Sequence, residues 1–333
     1  MPASRSQRPF LCMLDGTAVD ISIVGGKGAS LGRLVALKAP VPPAFALTIH
    51  AYEEHIRFLG TPARASQAAD HELEYIRSAI LEAEIPPPIT AAIAECLEAL
   101  NQGSSFQRSL AVRSSATAED SPHFSFAGLH DTVLDVADLS SVEHSVKKCW
   151  ASLWSDRAVS YRRSGDDTLD TASMAVVIQQ LVRCDVSFVV FTADPVSYED
   201  ECLVISATYG LGEAIVSGLV TPDHIVIDES GEVARYDIGE KETMIISAAS
   251  AGGGVREVPV PRILGRAPAL THDQARQIAQ IARALDATLG FRLDIEGGIA
   301  AGEIFLFQVR PITTLNGHST FQQKQNGLFT AKY

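Results

Sequence analysis

The sequence predicts an α+β protein of two lobes. Its 333 residues exceed what one ordinary core accommodates. Short runs of β-branched and aromatic residues, bounded by turn chemistry, have the character of strands. Between them lie segments whose apolar residues recur at helical spacing. Hydrophobic residues make up 46% and charged residues 20%, the balance of an ordinary globular chain. No apolar run approaches the ~20 residues needed to cross a bilayer. Residues 1–9 hold two arginines but no apolar core of leader-peptide length, so cytoplasmic residence and no membrane partner are expected.

Along the chain, Val24-Gly25-Gly26-Lys27-Gly28-Ala29-Ser30-Leu31-Gly32 reads as a short apolar strand entering a helix over residues 29–38. Its glycines permit close backbone approach, and free N–H groups at a helix start suit an anion. The spacing is not that of a Walker loop. After the Pro40 break, Thr48 is placed to cap a helix running to Leu59, and residues 72–81 and 89–100 read as further helices. Residues 110–117 form a buried strand that delivers Arg113 to a long polar loop through Phe126-Ala127-Gly128 to Thr132, placed to close over a phosphate chain. Val142, Val146, Trp150, Trp154 and Tyr161 give one helix over residues 142–163, with His144 on its surface.

Residues 175–179, 188–192, 203–207 and 224–228 read as strands, and Gly210-Leu211-Gly212-Glu213 as a glycine-framed loop. Residues 251–254 with Pro259, Pro261 and Pro268 read as a flexible connection. Thr271 and Gln274 form a capping box for a helix that ends at Gly290. Residues 315–333 read as a polar tail, giving lobes over 1–180 and 181–314.

A formal charge of −13 argues against a nucleic-acid partner, which requires a basic face. An acidic chain that binds a phosphate-bearing ligand must concentrate its few cations locally. The five scattered cysteines have no metal or redox spacing and read as buried free thiols.

The densest chemistry lies at Leu293-Asp294-Ile295-Glu296 and Phe307-Gln308-Val309-Arg310-Pro311-Ile312-Thr313. A three-residue loop, Ala300-Ala301-Gly302, would join two strands into a hairpin. With alternating side chains, Asp294, Glu296, Gln308 and Arg310 then share one face, while Ile295, Ile299, Phe305, Phe307 and Val309 fill the other. A two-residue loop would separate Glu296 from Gln308. Carboxylate and amide oxygens are the hard ligands magnesium accepts, usually one or two from protein with the rest from phosphate and water. An arginine fork matches phosphoryl oxygens.

Taken in order, these motifs resemble the N-terminal nucleotide-binding domain of the phosphoenolpyruvate synthase, pyruvate phosphate dikinase and rifampin phosphotransferase family, an ATP-grasp fold. The residues that carry the resemblance run from about 14 to 314. They are Gly25-Gly26-Lys27-Gly28-Ala29, Arg113-Ser114-Ser115-Ala116-Thr117-Ala118-Glu119-Asp120, Phe126-Ala127-Gly128, Trp150-Ala151-Ser152-Leu153-Trp154, Phe191-Thr192-Ala193-Asp194-Pro195, Gly210-Leu211-Gly212-Glu213 and the two hairpin strands.

The resemblance implies mixed or antiparallel sheets with flanking helices around a nucleotide cleft, and ATP and Mg2+ as ligands. It implies that Lys27 and Arg113 contact phosphates, Gly128 and Thr132 cover them, and Gln179 lies near the adenine. Glu296 and Gln308 would bind magnesium with Asp294 close by, and Arg310 would hold the transferred phosphoryl; Lys27, Arg113 and Arg310 are the catalytic set. ATP would be cleaved to AMP and phosphate, the β-phosphoryl passing to a histidine on a swivelling domain.

Departures from the family pattern are also present. The swivelling domain's Thr-Ser-His segment is not in this sequence, and Gly317-His318-Ser319-Thr320 is a poor substitute, so a separate histidine-bearing or substrate-binding polypeptide is the implied partner. Gly297 stands where an aromatic is usual, which would open one wall of the site, Arg292-Leu293 replaces Pro-Gln, and Ser187-Phe188 replaces Ala-Gly. Direct transfer to a small molecule, ATP-dependent ligation and a non-catalytic nucleotide-binding subunit are the alternative readings.

Overall fold

The computed structural model describes residues 9–61, 68–101, 109–117, 132–163, 173–193, 202–248 and 254–312. Two antiparallel sheets dominate it. Strands β1 (Leu11–Met13), β2 (Ala44–Leu47), β3 (Leu110–Ala116), β4 (Thr132–Val136) and β5 (Met174–Gln180) form a five-stranded sheet in the order β1-β2-β5-β3-β4. Strands β6 (Val186–Phe191), β7 (Leu203–Tyr209), β8 (Asp223–Ile227), β9 (Val233–Asp237), β12 (Leu293–Ala300) and β13 (Glu303–Pro311) form a six-stranded sheet in the order β13-β12-β6-β7-β8-β9. A separate ribbon pairs β10 (Thr243–Ser247) with β11 (Val255–Pro259).

The helices follow from caps and apolar faces. Helix α1 (Ile21–Ala36) begins about two turns earlier than the glycine pattern suggests, because the Asp20 side chain accepts from the Ser22 N–H. The expected strand before the glycines is therefore helical. The break falls inside the helix at Gly25 (φ 70°, ψ 177°), where a Cβ would lie 2.0 Å from the Ser115 carbonyl oxygen. Only glycine fits there.

Helices α2 (Ile49–Leu59), α3 (Leu73–Glu82) and α4 (Pro87–Asn101) lie within a residue or two of their expected bounds. Thr48 holds the cap position of α2, but its hydroxyl donates to the Pro9 carbonyl at 2.6 Å instead. The single helix expected over 142–163 is two, α5 (Leu139–Ser152) and α6 (Asp156–Arg163). A turn at residues 153–155 separates them, where the Ser155 hydroxyl accepts from the Ala158 N–H at 3.2 Å and starts the second. A short α7 (Glu213–Val216) follows β7, and α8 (His272–Leu289) has the expected capping box and a left-handed Gly290 at its end.

The aromatic stripe is core: Trp150 and Trp154 are fully buried, with the Trp154 indole N–H donating to the Tyr52 hydroxyl at 2.9 Å. His144 is exposed as expected, while the Tyr161 side chain lies outside the described residues. Only Cys96 and Cys149 are fully buried, while Cys12, Cys184 and Cys202 are half-buried.

One core lies within the first sheet and its helices. The second joins the six-stranded sheet and α8 to Val24, Leu31 and Leu34 of α1 and to Val177 of β5. Helix α1 thus belongs to both lobes, and its Ser30 hydroxyl donates to the Val309 carbonyl at 2.5 Å.

The stretch expected as a flexible connection holds β11, whose partner β10 reaches both lobes. Ile245 on β10 accepts from the Leu211 N–H at 2.8 Å. On β4, Asp135 adopts φ 60° and is almost wholly buried; its carboxylate accepts from the Ser247 hydroxyl at 2.6 Å and lies 3.6 Å from Arg183. Behind the ribbon, Lys241 and Asp223 form a fully buried ion pair, and Asp223 also accepts from the Tyr236 hydroxyl and the Gly239 and Ala269 N–H groups. Such pairs hold only when every remaining lone pair is used. Among the described residues no helix is long and apolar enough to cross a membrane.

Candidate nucleotide site between the lobes

The hairpin that carries the acidic and basic residues closes differently from expectation. Its loop is the two-residue Ala301-Gly302, both at positive φ (50° and 82°), the geometry that suits the right-handed twist of the strands. A two-residue loop by itself would have set Glu296 and Gln308 on opposite faces. A bulge restores them: Gly297 pairs with Leu306 but Glu296 with Gln308, which leaves Phe307 as the extra residue. Asp294 then pairs with Arg310.

The bulge also revises the apolar face. Ile295, Ile299 and Val309 lie in the core as expected, but Ile304 and Leu306 join them there in place of Phe305 and Phe307. Phe307 instead lines a cavity with Glu296.

That cavity holds about 480 Å³ between the two sheets. Arg113, Thr132 and Gln179 come to it from the first lobe, and Glu296, Phe307, Ser187 and Val189 from the second. Leu181, Val182, Cys184 and Leu211 make its apolar end. Gln179 is 2% exposed, and its side-chain nitrogen has no hydrogen-bond partner among the described residues. A buried donor without a partner costs about 1–3 kcal/mol, so the amide is poised for a ligand acceptor. Glu213 also lines the cavity. Its glycine-framed motif was visible in the sequence, but the motif alone assigned it no role.

Arg113 crosses from β3 to the hairpin. It donates through Nη1 to the Phe307 carbonyl at 2.8 Å and through Nη2 to Gln308 Oε1 at 2.7 Å, with Glu296 Oε2 at 3.5 Å. The bulge explains the first bond, because the extra residue's carbonyl is released from the ladder. Beside this group, Arg310 donates through Nε to Asp294 Oδ2 at 2.7 Å, and its Nη2 lies 2.7 Å from the same oxygen. Asp294 is 5% exposed, and its other oxygen, Oδ1, has no partner among the described residues. Burial pushes the Asp294 carboxyl above the usual 3.8, against the pull of Arg310 and with a smaller push from Glu296.

The structure therefore unites Arg113, Glu296 and Gln308, sets the Asp294–Arg310 pair next to them along the same strands, and opens Gln179 and Thr132 onto the same cavity. Lys27 sits half-buried on α1, one residue before Gly28, whose N–H donates to the Ser115 hydroxyl at 3.0 Å. It is not among the described residues that line the cavity. Gly128, and the loop expected to cover phosphates, lie outside the described residues.

Gly297 and Phe188 both line the cavity, and the Phe188 ring already fills the space that a side chain at 297 would take. Opposite in parity to Glu296, Gly297 faces Phe188, its register partner on β6. A Cβ at 297 would lie 2.4 Å from Phe188 Cζ. The aromatic ring is supplied by the neighbouring strand.

The donors fit a magnesium ion: a carboxylate at Glu296, an amide oxygen at Gln308 and the unpartnered Asp294 Oδ1 are all hard oxygens. No group of three or more His, Cys, Asp or Glu among the described residues could hold a metal. An ion here must take further ligands from phosphate and water.

A family model described as pyruvate phosphate dikinase, AMP/ATP-binding domain, matches residues 21–327. A probable phosphoenolpyruvate synthase of Methanocaldococcus jannaschii is 37% identical over 321 residues, covering 92% of this chain and 27% of its own. The prodigiosin synthesizing transferase PigC of Serratia marcescens is 39% identical over 292 residues, covering 87% and 32% respectively. A rifampicin phosphotransferase of Streptomyces sviceus is 38% identical over 307 residues, covering 89% and 35%. The chain spans about a third of the length of these curated relatives.

Proposed function

The chain belongs to the pyruvate phosphate dikinase AMP/ATP-binding domain family, and from that premise we propose that it adopts an ATP-grasp fold, binds Mg–ATP between its lobes and transfers a phosphoryl group. ATP is cleaved to AMP and phosphate, and the β-phosphoryl passes to a histidine outside these 333 residues. An imidazole nitrogen bonds to the β-phosphorus as its bond to the α,β-bridging oxygen breaks, and AMP leaves with that oxygen. The imidazole proton goes to solvent, and water takes the γ-phosphoryl as inorganic phosphate.

The observation that carries this reading is the meeting of Arg113 with Gln308 and Glu296, side chains nearly two hundred residues apart, at the edge of a cavity that also holds Gln179. Gln179 and the apolar end receive the adenine, and Glu213 the ribose hydroxyls. Arg113, Lys27, Thr132 and Gly128 take the phosphates. Glu296 and Gln308, with Asp294 beside them, hold the magnesium ion, which supplies charge neutralisation and orientation when bound. Arg310, fixed by Asp294, grips the phosphoryl in flight. Little covalent chemistry is asked of the protein; its work is positioning and electrostatic stabilisation.

The test is incubation with ATP labelled at the β-phosphorus, with and without a histidine-domain protein of the same family. AMP together with acid-labile label on the added protein supports the reading. ADP or AMP formed with a small acceptor alone would replace it with direct transfer or ligation, and tight binding without turnover would leave a non-catalytic subunit.

A further inference from the structure

Resting on that assignment of the site, we propose that Arg113 occupies the metal ligands until a nucleotide arrives, so that the divalent cation is admitted only together with the triphosphate. Without nucleotide, the guanidinium lies 2.7 Å from Gln308 Oε1 and 3.5 Å from Glu296 Oε2. A magnesium ion binds its oxygens at about 2.0–2.1 Å. The oxygen keeps a second lone pair, but an ion there would sit beside a positive charge, and the repulsion opposes its binding.

The guanidinium is held there firmly. Arg113 is 9% exposed, and the bulged Phe307 gives it a carbonyl acceptor at 2.8 Å. The protein's own ligands are too few to evict it, since no group of three or more His, Cys, Asp or Glu among the described residues could hold a metal.

A triphosphate changes both sides of this balance. Its oxygens offer Arg113 a charged, bidentate partner, which frees Gln308 and Glu296, and they complete the coordination of the ion. Arg113 therefore enforces simultaneous loading and keeps bare cations out.

The experiment measures Mn2+ binding by electron paramagnetic resonance on the whole chain. Arg113→Met, checked for folding by circular dichroism, is expected to bind Mn2+ without nucleotide at least ~10-fold more tightly than wild type, by loss of a charge-assisted competitor. Adding Glu296→Gln should abolish that gain. In wild type, an ATP analogue with a methylene at the α,β bridge should tighten Mn2+ binding by at least the same ~10-fold factor.

A folded Arg113→Met protein with wild-type Mn2+ affinity overturns the proposal. So does tight nucleotide-free Mn2+ binding to wild type that Glu296→Gln removes, a measurement that stands even if Arg113→Met fails to fold. Failure of wild type to bind the analogue at all would instead sink the Mg–ATP assignment itself.

Discussion

Exchanging Phe188 and Gly297 tests whether one aromatic ring serves both positions. Phe188 is 1% exposed and packs beneath α8 among Val190, Ile278, Ile281, Ile295, Ile304 and Leu306. Removing it in Phe188→Gly should cost about 3–5 kcal/mol for the lost ring, and up to ~1 kcal/mol more for glycine inside a strand. Gly297→Phe alone should also destabilise, by at least ~1–3 kcal/mol, the usual cost of overpacking. Its Cβ would lie 2.4 and 2.6 Å from the Phe188 ring and 2.6 Å from the Phe305 carbonyl oxygen. In the double variant the two ring contacts vanish and the carbonyl contact remains, so the strand must still shift. Rescue is therefore partial, with a coupling of about 2 kcal/mol, within the range for residues in contact. Urea unfolding of all four proteins, with the m-value held common, measures it. Additive losses would show that the two positions do not share a volume and would refute the packing exchange.

Glu296→Ala should weaken magnesium-dependent ATP binding by about tenfold or more while leaving the melting temperature within a few degrees; calorimetric titration that finds unchanged affinity would count against the metal assignment. Cys184 lines the cavity, but burial pushes its thiol up to about 11. Its alkylation by iodoacetamide should stay slow at neutral pH and accelerate only as the pH nears that value, and fast labelling at neutral pH would contradict it. His55 is fully buried against Trp150, and burial lowers its pKa below 6.5. The unfolded chain then binds a proton that the folded chain refuses, so stability should fall as pH drops below 6.5, and His55→Phe should flatten that part of the profile of melting temperature against pH.

The helices were the most legible part of the fold, because their signals are local. The capping box of Thr271 and Gln274 and the terminal Gly290 fixed α8 from neighbouring residues alone. Strands β9 and β11 were missed, since both are largely exposed and carry no clean apolar alternation. The break at residues 153–155 was hidden because Trp154 keeps the helical apolar spacing across it.

In the hairpin, the pairing of Glu296 with Gln308 was right although its stated cause was not. The loop is one residue shorter and the bulge supplies the compensating residue, an irregularity that alternation does not encode. The contact of Arg113 with Gln308 spans 195 positions. Nothing in local spacing could reveal it, and the order of motifs implied only that the two residues serve one nucleotide. The partner of Gly297 was hidden for a simpler reason: parity points a side chain there away from Glu296 and toward Phe188, which lies on another strand.

The β10–β11 ribbon gives the cleft a second fastening. Through Leu211 it grips the lobe that carries the hairpin, and through Asp135 the lobe that carries Arg113. Separating the lobes must undo the ribbon's grip and the arginine's as well as the contacts of α1, the Ser30 to Val309 bond among them. Only Arg113 finds substitute partners in an incoming triphosphate; the bond between Ser247 and Asp135 gains nothing from it. Under the proposed reading, opening at the arginine is offset by the ligand that enters there, and opening at the ribbon is not.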